Sequence, residues 1–287
     1  MNKQPMQHHF HWSHPPELCP LSDDEVHVWV AALEATPDFD EFPGVLSLDE
    51  QHKADRFYFA RDKQSYVAGR GLLREILGSY TGTPPARLKF DYGKNGKPSL
   101  ATGPEEGKVN FNLSHSGGLI LIAVAQNREL GIDLEQLRPF PEMESVAARC
   151  FSHGEQVALQ HLEFPHKEEN FFRYWTRKEA QLKCSGKGIS EQAEFIAPHF
   201  DGFLQELEPA SGYLAALAVR GKPFALKLWQ WQTNCRKQFR LVDPGKPTIS
   251  FQQSNPPFRR TRDHPSQVCD LSCAGGKAKG TRISSPI

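Results

Sequence analysis

Between Leu119 and Glu135 the chain reads LILIAVAQNRELGIDLE, an apolar run that ends in two carboxylates two positions apart. Such aliphatic stretches bounded by a polar Asn-Arg-Glu break read as two consecutive β-strands, 119–125 and 129–135. Side chains at i and i+2 of a strand share a face, so Asp133 and Glu135 point one way while Ile132 and Leu134 point the other. Two like charges side by side repel. Either something positive stands between them or they form a solvated rim, and strand geometry leaves both readings open.

The rest of the middle of the chain supplies partners for these strands. EVHVWVAAL (25–33), RLKFDY (87–92), KVNFNLS (108–114), SGYLAALAV (211–219) and FALKLWQWQ (224–232) carry the alternation and β-branched content of strands. Ser47 followed by Asp49 and Glu50 opens a helix, and Tyr66, Gly69, Leu72, Leu73 and Ile76 recur at helical spacing across 60–80. Asn95-Gly96-Lys97-Pro98 is a turn. After Pro139, Ser152 with Glu155 forms a capping box. The segment 167–184, KEENFFRYWTRKEAQLKC, holds no Pro or Gly and stops before Gly186, as a helix does. Helices and small antiparallel sheets occurring in both halves give an α+β fold with the same order of elements twice. The expected divisions are a mobile leader at 1–22, subdomains at 23–128 and 129–235, and a disordered tail at 236–287.

Charge restricts the partners. Lysine plus arginine and aspartate plus glutamate stand at 34 each over 287 residues, which argues against a chain built as a whole to bind nucleic acid. No apolar run reaches the roughly 18 residues of a membrane span. Six cysteines without framework spacing suit a reducing cytoplasm, and Cys269-x-x-x-Cys273 has no second ligand pair for zinc. The histidines of HHFHWSH (8–14) read as a polar leader rather than a metal site, and the basic tail as solvated.

Two stretches carry chemistry. Trp175, Glu179 and Lys183 lie four apart, so they stack along one helix face. A Glu–Lys pair at that spacing is worth only about 0.2–0.5 kcal/mol and is common on surfaces. Beside Asp133 and Glu135, however, Glu179 would complete a three-carboxylate pocket suited to Mg²⁺, with Lys178, Lys183 and Lys187 left for phosphates. In NFNLSHS (110–116), Ser114 and His115 end a strand just before Gly117-Gly118. Neighbouring strand residues face opposite ways and no G-x-S-x-G elbow is present, so the pair is no hydrolase triad.

Taken in order, NGKP, FNLSHS, GIDLE and WTRKEAxxKxxGKG, preceded by RF-x-x-x-RD-x-x-x-x-x-x-GR-x-LLR from Arg56 to Arg74, resemble the Sfp-type 4′-phosphopantetheinyl transferases of the W/KEA subgroup. The resemblance runs over roughly 25–232. It implies a pseudo-dimer of two similar α/β subdomains with coenzyme A between them. It also implies Mg²⁺-dependent transfer of the phosphopantetheine arm to a serine of apo acyl or peptidyl carrier proteins, with release of adenosine 3′,5′-bisphosphate. By that match Asp133, Glu135 and Glu179 are Mg²⁺ ligands, Glu179 is the base for the carrier serine, and Lys183 serves the leaving oxygen. Lys53, Arg56, Lys97, Pro98, Ser114, His115 and Lys178 match coenzyme A contacts in a cytoplasmic monomer with no nucleic-acid or membrane partner. Two positions depart from the family pattern: Ser65 stands where arginine is frequent, and Glu50 where a lysine is expected. The alternative is a catalytically weak module that binds coenzyme A or carrier proteins. A carboxylate-metal phosphohydrolase would need neither NGKP nor SHS.

Overall fold

Strand β1 (Glu25–Ala32) is buried along its whole interior, so it needs a neighbour on each edge and a layer on each face. A computed structural model, which describes residues 11–16, 19–33, 42–101, 108–186 and 200–232, supplies all four. On one edge of β1 lies β5 (Leu119–Gln126), antiparallel and joined by a hairpin to β4 (Val109–Ser116). Gly117 and Gly118 turn that hairpin at φ +53° and +93°, the left-handed pair that two-residue turns require. On the other edge lies β9 (Ala225–Gln230), the last strand among the described residues, which runs parallel to β1. The sheet order is therefore β4-β5-β1-β9. Every other strand pair among the described residues is antiparallel, as expected; β9 departs, because it returns from the second half to satisfy the open edge of β1.

The second sheet is β6 (Leu130–Gln136), β8 (Tyr213–Arg220) and β7 (Gly202–Leu207), in the order β6-β8-β7. A short ribbon, β2 (Phe90–Tyr92) and β3 (Pro98–Leu100), brackets the NGKP turn. The strand expected at 87–92 is shorter than its pattern, since Pro84 and Pro85 open a 3-10 turn at Pro85–Arg87. Five α-helices appear among the described residues: α1 (Leu48–Asp55), α2 (Ala60–Thr81), α3 (Met143–Cys150), α4 (His153–Gln160) and α5 (His166–Ser185). Strand β7 and helix α3 escape the sequence pattern: β7 is only half-buried and weakly alternating, and α3 is eight residues long.

These elements stack in four layers. Leu72, Leu73, Ile76 and Leu77 of α2 cover Trp29, Ile120, Ile122 and Val124 on one face of the first sheet. On its other face, Val26, Val28, Val30 and Leu121 meet Ile132, Leu134, Leu217 and Val219 of the second sheet. Ala180 and Cys184 of α5 then cover Ala216 and Ala218 on the far side. Phe140, Phe151, Phe171 and Phe172 are core, while Phe164 is 62% exposed. Part of the expected leader is engaged: Ser13 donates its N–H to the Leu228 carbonyl and accepts from the Gln230 N–H, so it covers the outer edge of β9. No helix among the described residues is long and apolar enough to cross a membrane. The segment 236–287, with its two cysteines, lies outside the described residues.

Candidate active site

Strand β6 pairs with β8 on one edge only, which leaves the N–H groups of Ile132, Leu134 and Gln136 pointing toward β4. A buried N–H without an acceptor costs about 1–3 kcal/mol, and β4 supplies one for each. Asn112 Oδ1 accepts from Ile132 at 2.8 Å, Ser114 Oγ from Leu134 at 3.2 Å and Ser116 Oγ from Gln136 at 3.1 Å. The period of two in Asn-x-Ser-x-Ser thus matches the period of the strand it serves. Each serine then donates its own proton sideways. Ser114 Oγ reaches Asp133 Oδ1 and Ser116 Oγ reaches Glu135 Oε2, both at 3.1 Å.

Asp133 and Glu135 are fully buried on the face of β6 away from the inter-sheet core, and Glu179 of α5 is 5% exposed. Helix α5 can lie this close because position 131 is glycine: a Cβ there would stand 2.2 Å from the Ala180 carbonyl oxygen and 2.3 Å from the Cys184 nitrogen. Lys183, one turn beyond Glu179, places its ammonium 2.6 Å from Asp133 Oδ1 and 3.1 Å from Ser114 Oγ. Arg138 donates to Glu135 Oε2 at 3.3 Å. One oxygen of each carboxylate has no hydrogen-bond partner although buried: Asp133 Oδ2, Glu135 Oε1 and Glu179 Oε1.

Such a site holds its protons tightly. Burial and the neighbouring Asp133 push Glu135 up to about 8, against the pull of Arg138 and Ser116. Burial and Asp133 likewise push Glu179 up to about 7, against Lys183. Burial raises Asp133 too, even with Lys183 and Ser114 opposing it. Three buried orphan carboxylate oxygens are, in kind, the donors that a hard divalent cation such as Mg²⁺ takes. They are not a finished cage: among the described residues no trio of His, Cys, Asp or Glu side chains is arranged to hold a metal ion. Lys183 stands against Asp133 as the local cation, and the remaining like charges repel.

A cleft beside this cluster is lined by Arg70, Leu73, Asn95, Gly96, Lys97, Pro98, Asn112, Leu113, Lys183 and Gly186. It brings together Lys97, Pro98 and Lys183 from the expected set. The Lys97 ammonium is turned to protein, donating to the carbonyls of Lys183 at 2.6 Å and Leu130 at 2.9 Å, and burial lowers its pKa. The other expected contacts are scattered. Ser114 is committed to Asp133, Leu134 and Lys183, while His115 is half-buried on the opposite face of β4. Lys178 points to α4, 2.9 Å from Glu155. Lys53 lies over the Tyr66 ring at 5.1 Å, and Arg56 is exposed at the end of α1. Lys187 lies outside the described residues.

Sequence reasoning missed Ser116, Arg138 and the role of Glu50. Ser116 was visible as the third member of the alternating polar series, and Arg138 as a cation three positions after Glu135. Glu50, the departure from a lysine, accepts from Arg70 Nε at 2.6 Å and from Arg74 Nε at 2.7 Å. Arg74 also donates to the Pro85 and Leu88 carbonyls, and Arg70 to the Tyr92 hydroxyl at 2.9 Å, so Glu50 anchors the cleft wall.

A family model described as "4′-phosphopantetheinyl transferase, N-terminal" matches residues 34–127, and one described as "4′-phosphopantetheinyl transferase superfamily" matches 129–243. The 4′-phosphopantetheinyl transferase HetI of Nostoc sp. is 42% identical over 229 residues, covering 76% of this chain and 96% of that protein. This chain is a member of the 4′-phosphopantetheinyl transferase family. More distant members agree: psf-1 of Bacillus pumilus is 34% identical over 145 residues, covering 50% of this chain and 60% of its own. Sfp of Bacillus subtilis strain 168 is 28% identical over 151 residues, covering 53% and 65%. For a phosphopantetheinyl transferase, the β6–α5 cluster is the densest group of unsatisfied acceptors in the fold among the described residues.

Proposed function

We propose that the protein transfers the 4′-phosphopantetheine arm of coenzyme A to a serine of apo acyl or peptidyl carrier proteins, releasing adenosine 3′,5′-bisphosphate, with Mg²⁺ as cofactor. The observation that carries this reading is the set of three buried carboxylates, each with one unpartnered oxygen, beside a cleft lined by Arg70, Lys97 and Lys183. Family membership supports the reaction; the residue roles and the cation rest on the chemistry of the side chains.

Asp133, Glu135 and Glu179 are the residues that would hold Mg²⁺, which when bound neutralises charge on the pyrophosphate. Glu179, a buried carboxylate one helical turn before Lys183, is the residue that would take the proton of the incoming serine hydroxyl. Lys183, held on Asp133 and Ser114, is available to neutralise or protonate the leaving oxygen. The cleft formed by the NGKP turn takes the nucleotide end, with Lys97 and Pro98 framing it. Lys53, Arg56, His115 and Lys178 remain outlying candidates for phosphate contacts, and Ser114 acts through its carboxylate partner. The subdomain division falls at 128/129, with β9 crossing back to the first sheet. The enzyme acts as a cytoplasmic monomer, in keeping with six cysteines that show no framework spacing.

Intact-mass spectrometry of apo carrier protein incubated with the enzyme, coenzyme A and Mg²⁺, with an EDTA control, tests the reading. A gain of one phosphopantetheine that EDTA abolishes is expected. Gain insensitive to EDTA removes the cation, and coenzyme A binding without any gain makes the protein a binding module.

A further inference from the structure

The hydroxyls of β4 do two tasks at once, and the second has no counterpart in ordinary strand pairing. Asn112, Ser114 and Ser116 each accept an edge N–H of β6. Only the two serines also donate, and each does so to the carboxylate just before the N–H it accepts. A hydroxyl has one proton, and a backbone N–H can only donate, so the proton is free to point to the carboxylate. The result is a repeated unit two residues apart: Ser114 with Asp133 and Leu134, Ser116 with Glu135 and Gln136. In each unit one carboxylate oxygen is fixed and the other, Asp133 Oδ2 or Glu135 Oε1, is left buried without a partner.

Ser114 is saturated, since Lys183 takes its remaining lone pair. Ser116 differs. It is 9% exposed, its carboxylate partner carries no lysine among the described residues, and the other cation there on Glu135 is Arg138 at 3.3 Å with a side chain 36% exposed. Of the groups that orient Glu135, the Ser116 hydroxyl is therefore the buried one. We propose that Ser116 is a positioning residue, which by holding Glu135 Oε2 leaves Oε1 available to the cation that the three carboxylates would hold. The inference rests on the reading of Asp133, Glu135 and Glu179 as metal ligands. Outer-shell partners of this kind are worth about 10–100-fold in metal affinity.

The test is Mn²⁺ binding to the full chain without substrate, followed by electron paramagnetic resonance, for wild type, Ser116→Ala, Ser116→Thr, Asn112→Ala and Glu135→Gln. Asn112→Ala deletes the same kind of edge acceptor but touches no carboxylate, so it reports the effect of a loosened edge alone. Ser116→Ala is expected to weaken Mn²⁺ binding by about tenfold or more, Ser116→Thr to restore it, and Asn112→Ala to leave it unchanged. If the alanine variant fails to fold, Ser116→Cys, which keeps the shape and weakens the donor, carries the same comparison. Wild-type affinity in Ser116→Ala alongside loss in Glu135→Gln overturns the proposal and leaves the metal reading standing. Equal loss in Ser116→Ala and Asn112→Ala also overturns it, because the edge and not the hydroxyl would then be responsible. Wild-type affinity in Glu135→Gln removes Glu135 from the ligands and the role of Ser116 with it.

Discussion

Two buried clusters of carboxylates and cations, one in each half, end in opposite states. In the first, Glu50 lies between Arg70 and Arg74, with all three side chains 1% exposed. Burial alone would raise Glu50, but the two guanidinium groups overcome it and hold its pKa below the ordinary value. In the second, Asp133, Glu135 and Glu179 share Lys183 and a half-exposed Arg138. There burial wins, proton affinities rise and an oxygen of each carboxylate goes without a partner. The lesson lies in the ratio of cations to anions. A surplus of buried cations makes a rigid wall, and a surplus of buried anions makes a site that wants a ligand.

Four changes sharpen or break that contrast. The largest effect is expected from Glu179→Gln, which keeps coenzyme A binding but lowers transfer about 100-fold or more, because a proton acceptor is worth about 10²–10⁴. Near wild-type turnover by the mass assay would remove Glu179 as base. Next, Glu50→Gln strands two buried guanidinium groups and should destabilise the fold by about 3–5 kcal/mol in urea unfolding. Glu179→Gln, by contrast, removes a like charge and should leave metal-free stability unchanged or raised; a loss in both variants erases the distinction between the clusters.

Gly131→Ala changes no charge but drives a Cβ into the α5 backbone, at an expected cost of about 1–3 kcal/mol and with loss of activity. Activity that survives alongside the stability loss would show that the β6–α5 spacing is not critical. The last comparison is in pH dependence. Glu135 and Glu179 bind protons more tightly folded, at about 8 and 7, than at the ordinary 4.5. Their contribution to stability is therefore fully present below about pH 4.5 and lost as pH rises through 7 and 8. In EDTA the melting temperature should fall between pH 5 and 8, less steeply in Glu179→Gln; a slope of the opposite sign would refute the raised values.

Local pattern disclosed most of the elements and half of the site's logic. The period of two in GIDLE placed both carboxylates on one face, and the spacing of four from Trp175 to Lys183 placed Glu179 and Lys183 on one side of α5. Side-chain identity alone did not announce the protein partners that these groups take. Lys97 caps the end of α5, Lys178 pairs with Glu155, and Ser114 serves Asp133 rather than an open cleft. None of these partners is near in sequence, so no period could announce them.

What the sequence by itself determined is therefore the local geometry: strands and helices, the shared face of Asp133 and Glu135, and the family. Only the tertiary structure decided which charges are neutralised. That outcome depends on which edge of β6 meets β4, how closely α5 lies on β6, and whether β9 closes the first sheet. Electrostatic energy in a dry interior varies steeply with distance and solvent exposure, and both arise only when segments distant along the chain come together.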